Sequence, residues 1–399
     1  MKYRSLFLLL GMAFILGLST HAQTYSPDSL YTGAKGYIEY LPGTLPLIFA
    51  ASHGGDLEPA TIPDRSCPGC VTTTDLNTQE LARQIRQALF ERTGCYPHVV
   101  INRLKRTKLD ANRDLAEAAL GNPEAEQAWR DFHFFLGKAK AQIETAQAKR
   151  GLFIDLHGHG HSIQRLELGY LLSAVFLRQS DAALNAPEII NQSSIRQLAI
   201  DNRQQQAHAD LIRGSAGLGT LLEQEGYPSV PSLGDPAPKS GEAYFSGGYN
   251  TERHGSVTAE TKIDAIQIEC NFQGVRDTEI SREFFASALA KTLLAYLKEH
   301  YYESLPECRP TKTSEPDLHI GAFYPNPGCG VIQLDPGDQS LQGMQLEVFR
   351  ADGKSQVRFP EVPQEILFSP AQFPNGVYWI VLYRSGRVVS RTAWVQNCP

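Results

Sequence analysis

Imidazoles, carboxylates and guanidinium groups stand where apolar runs of this sequence break off. Leu47-Ile-Phe-Ala-Ala ends in Ser52-His53-Gly-Gly-Asp56, and Leu152-Phe-Ile-Asp-Leu ends in His157-Gly-His159-Gly-His161. Short apolar runs of this kind read as buried strands. In an α/β sheet the strand ends face the crevice where ligands bind, and glycines there admit a metal or substrate close to the backbone. A catalytic zinc takes three ligands from His and carboxylate and keeps a fourth position open for water. His53 is a candidate for the first. Asp56 can reach the same ion if the chain turns through Gly54-Gly55, and Glu58 is the rival carboxylate. His157 is the candidate for the third, with His159 and His161 competing, because His157 lies nearest its strand and is best fixed. Asp155, two positions earlier on the same strand face, is placed to hold the His157 ring from behind.

Two further segments complete a possible reaction centre. Arg106-x-x-x-Asp110-x-Asn112-Arg113 carries groups for holding an anionic substrate, with Asp110, Asn112 and Arg113 as the substrate-binding candidates, since a guanidinium forks onto a carboxylate and a side-chain amide adds a bond. The plainer reading is a salt-bridged helix start in a segment already charged by Arg103, Lys105 and Lys108. Glu269 ends the apolar strand Ala265-Ile-Gln-Ile. A carboxylate beside an activated water serves as general base, and Arg106 or the metal would steady the developing oxyanion. Glu269 as a buried ion-pair partner of Arg276 or Arg282 is the structural alternative.

The elements that must hold these groups follow from periodicity. From about Tyr37 to Tyr302 short apolar strands alternate with long helical patterns, which predicts a mixed, mostly parallel α/β sheet flanked by helices. Asn77-Thr-Gln-Glu80 has the form of a capping box, opening a helix whose apolar positions are Leu81, Ile85, Leu89 and Phe90. Further helices are expected from about Pro123 to Lys149 and from about Ser281 to His300, and a further buried strand at His98–Asn102. The Gly-, Pro- and Ser-rich stretch from about Arg203 to Ser256 reads as a lid, a binding loop or a plain surface excursion. Beyond Pro306 the pattern becomes a linker and then short β runs, including Met344–Phe349 and Gly376–Tyr383, which predicts a small β-sandwich.

Composition sets the compartment. Met1-Lys-Tyr-Arg4, an apolar run from Leu6 to Leu18, and small residues before Ala22 predict a secretory signal peptide over residues 1–22. No other run approaches the ~18 apolar residues of a membrane span. Removing Lys2 and Arg4 with no acid moves the formal charge from −6 to −8, which argues against a nucleic-acid partner. Seven cysteines in an exported chain predict disulfides and leave one thiol over. Cys67-Pro-Gly-Cys70 is best read as a turn closed by a disulfide, and Cys270, inside a strand, as the buried free thiol.

Residues 320–399 resemble the C-terminal sorting domain of the type IX secretion system of Bacteroidetes, through Phe323-Tyr-Pro-Asn-Pro327, Val348-Phe-Arg-Ala-Asp-Gly-Lys354 and Phe373-Pro-Asn-Gly-Val-Tyr-Trp379. The resemblance implies that this secretion machinery is a partner and that the chain is released or displayed at the cell surface. The preceding part resembles the N-formylglutamate amidohydrolase family, which shares its architecture with zinc carboxypeptidases. His53-Gly54-Gly55 is similar to the family's His-Ser-Gly corner, Arg106-x-x-x-Asp110-x-Asn112-Arg113 matches its Arg-x-x-x-Asp-x-Asn-Arg motif, and Asp155-Leu-His157 is similar to its Asp-Ala-His corner. This implies zinc on His53, a nearby carboxylate and His157, with Arg106, Asn112 and Arg113 toward the substrate and Glu269 as base. The first corner departs from the carboxypeptidases' His-x-x-Glu, which leaves the metal carboxylate open between Asp56 and Glu58.

The expected organisation is therefore a signal peptide (1–22), a catalytic domain (23–308), a linker (309–319) and a β-sandwich (320–399). The expected activity is zinc-dependent cleavage of the amide bond in an N-acyl amino acid or short peptide bearing a free carboxylate. A carboxypeptidase or peptidoglycan amidase on the same scaffold, and a non-catalytic surface binding module, are the competing readings.

Overall fold

The computed structural model describes residues 25–27, 29–146, 150–257, 261–306, 308, 323–324, 329–334, 340–350, 355–363, 365–384, 387–396 and 398. The signal-peptide and linker segments of the sequence reading lie outside them.

Eight strands form one sheet: β1 (Tyr31–Thr32), β2 (Ile38–Leu41), β3 (Leu47–Ala51), β4 (His98–Asn102), β5 (Gly151–Gly158), β6 (Leu166–Gly169), β7 (Ser229–Val230) and β8 (Ile263–Cys270). They run in the order β1-β2-β4-β3-β5-β8-β6-β7. The central pairs β4/β3, β3/β5 and β5/β8 are parallel, so their C-terminal ends lie along one edge. The pairs β1/β2, β2/β4 and β8/β6 are antiparallel.

Strand alternation sorts side chains onto two faces. Leu47, Phe49 and Ala51 pack with Leu81, Ile85 and Leu89 of α1 (Thr78–Thr93). Ile48, Ala50 and Phe153 pack with Phe132, Leu136 and Ala139 of α2 (Pro123–Thr145). A short helix, α3 (Tyr249–His254), follows the Phe245–Gly248 loop, and α4 (Glu279–His300) joins α1 on the first face. The result is the mixed, mostly parallel sheet between helices that the periodicity predicts. Among the described residues no helix is long and apolar enough to cross a membrane.

The expected capping box at α1 does not form. Asn77 adopts a left-handed conformation (φ 66°), makes no side-chain cap bond, and donates Nδ2 to Arg276 O instead. The turn into the helix is held instead by Thr78, whose N–H and hydroxyl both donate to Asp75 O.

Cys67–Cys70 and Cys270 are as the sequence reading has them, and two further disulfides join Cys95 to Cys308 and Cys329 to Cys398. The C-terminal strands form a separate all-β unit. A three-stranded sheet, β9 (Phe323–Tyr324), β10 (Gly330–Leu334) and β13 (Glu365–Phe368), accompanies a four-stranded one, β11 (Met344–Arg350), β12 (Ser355–Phe359), β14 (Gly376–Arg384) and β15 (Arg387–Gln396). Ile366 of the first shares a core with Leu346, Ile380 and Trp394 of the second.

Candidate metal centre

β3 delivers His53 to the crevice, and the two glycines after it are required by close packing. A Cβ on Gly54 would lie 2.4 Å from Thr78 Oγ1, and one on Gly55 2.2 Å from Leu104 O. The chain then runs alongside the exit of β4 through a Leu57–Leu104 bridge. That path carries Asp56 to an exposed position and leaves Glu58 at the surface, with Lys105 Nζ 2.7 Å from its carboxylate. Neither joins the histidines, which corrects the sequence reading of the carboxylate.

The carboxylate that does join them is Asp75. Its N–H donates to His53 O at 3.0 Å, which folds the segment before α1 back across the end of β3. Its Oδ2 lies 3.2 Å from His157 Nδ1 and 3.4 Å from His53 Nδ1, and the two Nδ1 atoms are 3.1 Å apart. All three side chains are buried. Asp75 is 22 residues beyond His53. A search for a carboxylate near the first histidine in sequence passes over it, and its position immediately before a helix was the one available signal.

The outer nitrogen of each imidazole is also held. His53 Nε2 lies 2.6 Å from Asp110 Oδ1, and His157 Nε2 lies 3.0 Å from Asp155 Oδ2. A proton on each Nε2 turns the Nδ1 lone pair inward, the arrangement of histidines that ligate metals. Two lone pairs and a carboxylate oxygen facing one another in a buried space repel unless positive charge sits among them. The donor set therefore fits a divalent cation, with His53, Asp75 and His157 as the residues that would hold it. Burial works against a charge on His157, but Asp155 and Asp75 outweigh it and hold the imidazole well above its usual range. Burial likewise opposes charge on Asp75, yet bonds from His157 and His53 keep it well below the ordinary carboxylate range.

The remaining motif residues are redistributed. Asp110 is fully buried between His53 and Arg106, whose Nε is 3.0 Å from Asp110 Oδ2. Its carboxylate is taken up by His53 and Arg106, whereas the sequence reading has it on the substrate side. Arg106 also lies 3.6 Å from Asp75 Oδ1 and donates to Thr73 O, so its described bonds are to the two carboxylates and the backbone around the cluster. Asn112 sits 3.4 Å from His157 Nε2 and accepts from Asn250 N at 2.7 Å, tying the motif to the start of α3. Arg113 is the motif cation nearest solvent, with a third of its side chain exposed beside Glu117.

Strand register places Glu269. His157 of β5, Glu269 of β8 and Glu167 of β6 are direct neighbours across three strands and share a face. Glu269 accepts from Gln267 Nε2 at 3.0 Å, and burial pushes its carboxyl up to about 8, against the pull of His157. The expected alternative partner, Arg276, is committed elsewhere. It donates to the carbonyls of Cys270, Leu76 and His159, at 2.9, 2.7 and 3.0 Å, clamping the three segments that carry Glu269, Asp75 and His157. His159 and His161 do not compete with His157. They form a second group with Glu167, in which His161 Nδ1 is 2.8 Å from Glu167 Oε1 and His159 Nε2 donates to Arg165 O.

No family model matches the chain, and no curated protein matches it. Solved structures similar to it include an N-formylglutamate amidohydrolase from Ralstonia eutropha JMP134, at 13% identity and TM-score 0.35, covering 65% of this chain and 96% of that one. A gene product of Agrobacterium tumefaciens is similar at 13% identity and TM-score 0.38, over 64% and 92% of the two chains. A metallo-carboxypeptidase from Pseudomonas aeruginosa is similar at 14% identity and TM-score 0.32, over 68% and 64%.

Proposed function

We propose that this chain is a zinc-dependent amidohydrolase that cleaves the amide bond of an N-acyl amino acid or short peptide with a free carboxylate. The observation that carries the proposal is the convergence of His53 Nδ1, His157 Nδ1 and Asp75 Oδ2 in a buried site, with each imidazole's other nitrogen on a carboxylate. The match of Arg106, Asp110, Asn112 and Arg113 to the amidohydrolase motif supports the reaction class.

Zinc held there would polarise the amide carbonyl and acidify the attacking water. The chain's own groups do the rest. Glu269, next to His157 in the strand row, takes the proton of the attacking water and delivers it to the departing nitrogen. Positive charge in the cluster favours its ionised form. Arg106 and Asp110 hold the ligands in place and limit reorganisation as charge develops. Arg113, the motif guanidinium with solvent access, grips the substrate carboxylate.

The test is metal analysis of protein purified without added zinc, followed by amide hydrolysis assays with and without a chelator. One equivalent of metal and chelator-sensitive hydrolysis are expected. Metal-free protein that cannot be loaded would overturn the reading. The same proposal places the protein outside the cell, through residues 1–22 and the C-terminal β unit. Deleting the chain from about Thr311 should leave a soluble, active protein that is no longer delivered across the outer membrane. Unchanged delivery would reject the sorting role.

A further inference from the structure

Next to Glu269 the fold places a buried carboxylate, Glu167, that takes one bond from the His161 ring and one from the Phe245 backbone. Glu167 is fully buried. Its Oε1 lies 2.8 Å from His161 Nδ1, and its Oε2 accepts from Phe245 N at 2.8 Å. The His161 and Phe245 rings lie nearly parallel, 4.7 Å apart at 13°. Phe245 is 44% exposed and the His161 side chain 23%. Burying a carboxylate is costly unless it is well paired. An exposed phenyl ring and a half-buried imidazole return little of that to stability, so the arrangement is poorly explained as packing.

Its location supplies a role. Glu167 is the cross-strand neighbour of Glu269, so the ring pair borders the base on the side away from β3. From Phe245 the chain crosses the end of the sheet, with Ser246 O accepting from Leu171 N, and reaches Asn112 through Asn250 N. Phe245 and Asn250 therefore mark opposite ends of a short traverse, at most ~17 Å for five extended residues. Asn112 and Arg113 occupy the end assigned to the substrate carboxylate.

We infer that His161 and Phe245 form an acyl-side subsite that takes a planar aromatic acyl group by stacking, making N-aroyl or N-arylacyl amino acids the preferred substrate class. This rests on the proposed hydrolase reading for which end of the substrate is acyl, but the binding it predicts does not require turnover.

The experiment uses the full chain carrying Glu269→Gln, titrated calorimetrically with N-benzoyl and N-formyl derivatives of the same set of amino acids. Benzoyl compounds should bind about tenfold more tightly, as stacking on an aromatic pair allows. In Phe245→Ala that preference should shrink to about twofold or less, while His161→Phe, which keeps a ring in the stack, should retain most of it. Equal affinity for the two series, an unchanged preference in Phe245→Ala, or no binding of either series would each overturn the subsite. A benzoyl preference in a protein that cleaves no amide would keep the subsite and reject the hydrolase. Cleavage of both series with identical selectivity in wild type and Phe245→Ala would do the reverse.

Discussion

Asp110→Asn separates a ligand-bracing role from a substrate-binding one. Asp110 lies 2.6 Å from His53 Nε2 and 3.0 Å from Arg106 Nε, with no exposed surface. Burial opposes its charge, but His53 and Arg106 hold its carboxyl well below the usual range. Asparagine is nearly isosteric, so packing is kept while the charge is lost and the amide can present its NH₂ to His53. That orientation favours the wrong tautomer and turns the Nδ1 lone pair away from its use. Loss of such an outer partner costs about 10–100-fold in metal affinity, or roughly 1.4–2.8 kcal/mol at ~1.4 kcal/mol per tenfold. Arg106 keeps Thr73 O and the neighbouring Asp75, so the fold should survive with a reduced Tm. Zinc competition against a chromophoric chelator reads the affinity, and thermal unfolding of metal-free protein reads the fold. Wild-type zinc affinity combined with a raised KM would refute the argument and return Asp110 to the substrate.

Asp75→Ala should abolish stoichiometric metal while Asp56→Ala and Glu58→Ala retain it; elemental analysis of the three purified variants checks this, and metal retained by Asp75→Ala would exclude it as a ligand. Glu269→Gln should keep its metal and lose about 10²-fold or more in kcat, within the range that general-base assistance supplies; wild-type turnover would sink the assignment. A third test concerns stability and pH. Asp264 is buried, and burial raises its carboxyl to about 6 against the opposing bonds from Ser256, Leu198 and Tyr301. The folded state therefore holds this proton longer than the unfolded state does. The associated stability is fully present below about 3.8 and is lost as pH rises through about 6, a change of about 3 kcal/mol at 1.36 kcal/mol per unit. Urea unfolding between pH 4 and 7 should show that slope in wild type and a flatter profile in Asp264→Asn; parallel profiles would refute it.

Sequence alone determined what depends on neighbours along the chain. Apolar runs of five to eight residues gave the strands that carry His53, His157 and Glu269. Helical periodicity gave α1, α2 and α4 to within a few residues except at the end of α2, expected near Lys149 and found at Thr145. The Cys67–Cys70 spacing gave a disulfide, and the changed pattern beyond Pro306 gave a separate all-β unit. These features are encoded within one strand, helix or turn, where period and reach are fixed by covalent geometry. What the tertiary structure decided is which of many polar groups meet. Asp75 replaced Asp56 because the chain after Gly55 follows β4 outward while the segment before α1 folds back onto His53. Asp110, read as a substrate-side residue, lies behind His53, and His161, read as a rival to His157, lies against Glu167, because strand order sets β6 beside β8 and the β4 exit beside β3. Such pairings span 57 residues between His53 and Asp110, and 78 between Glu167 and Phe245. Over such separations the pairing is fixed by the packing of the whole sheet, and no local pattern records it.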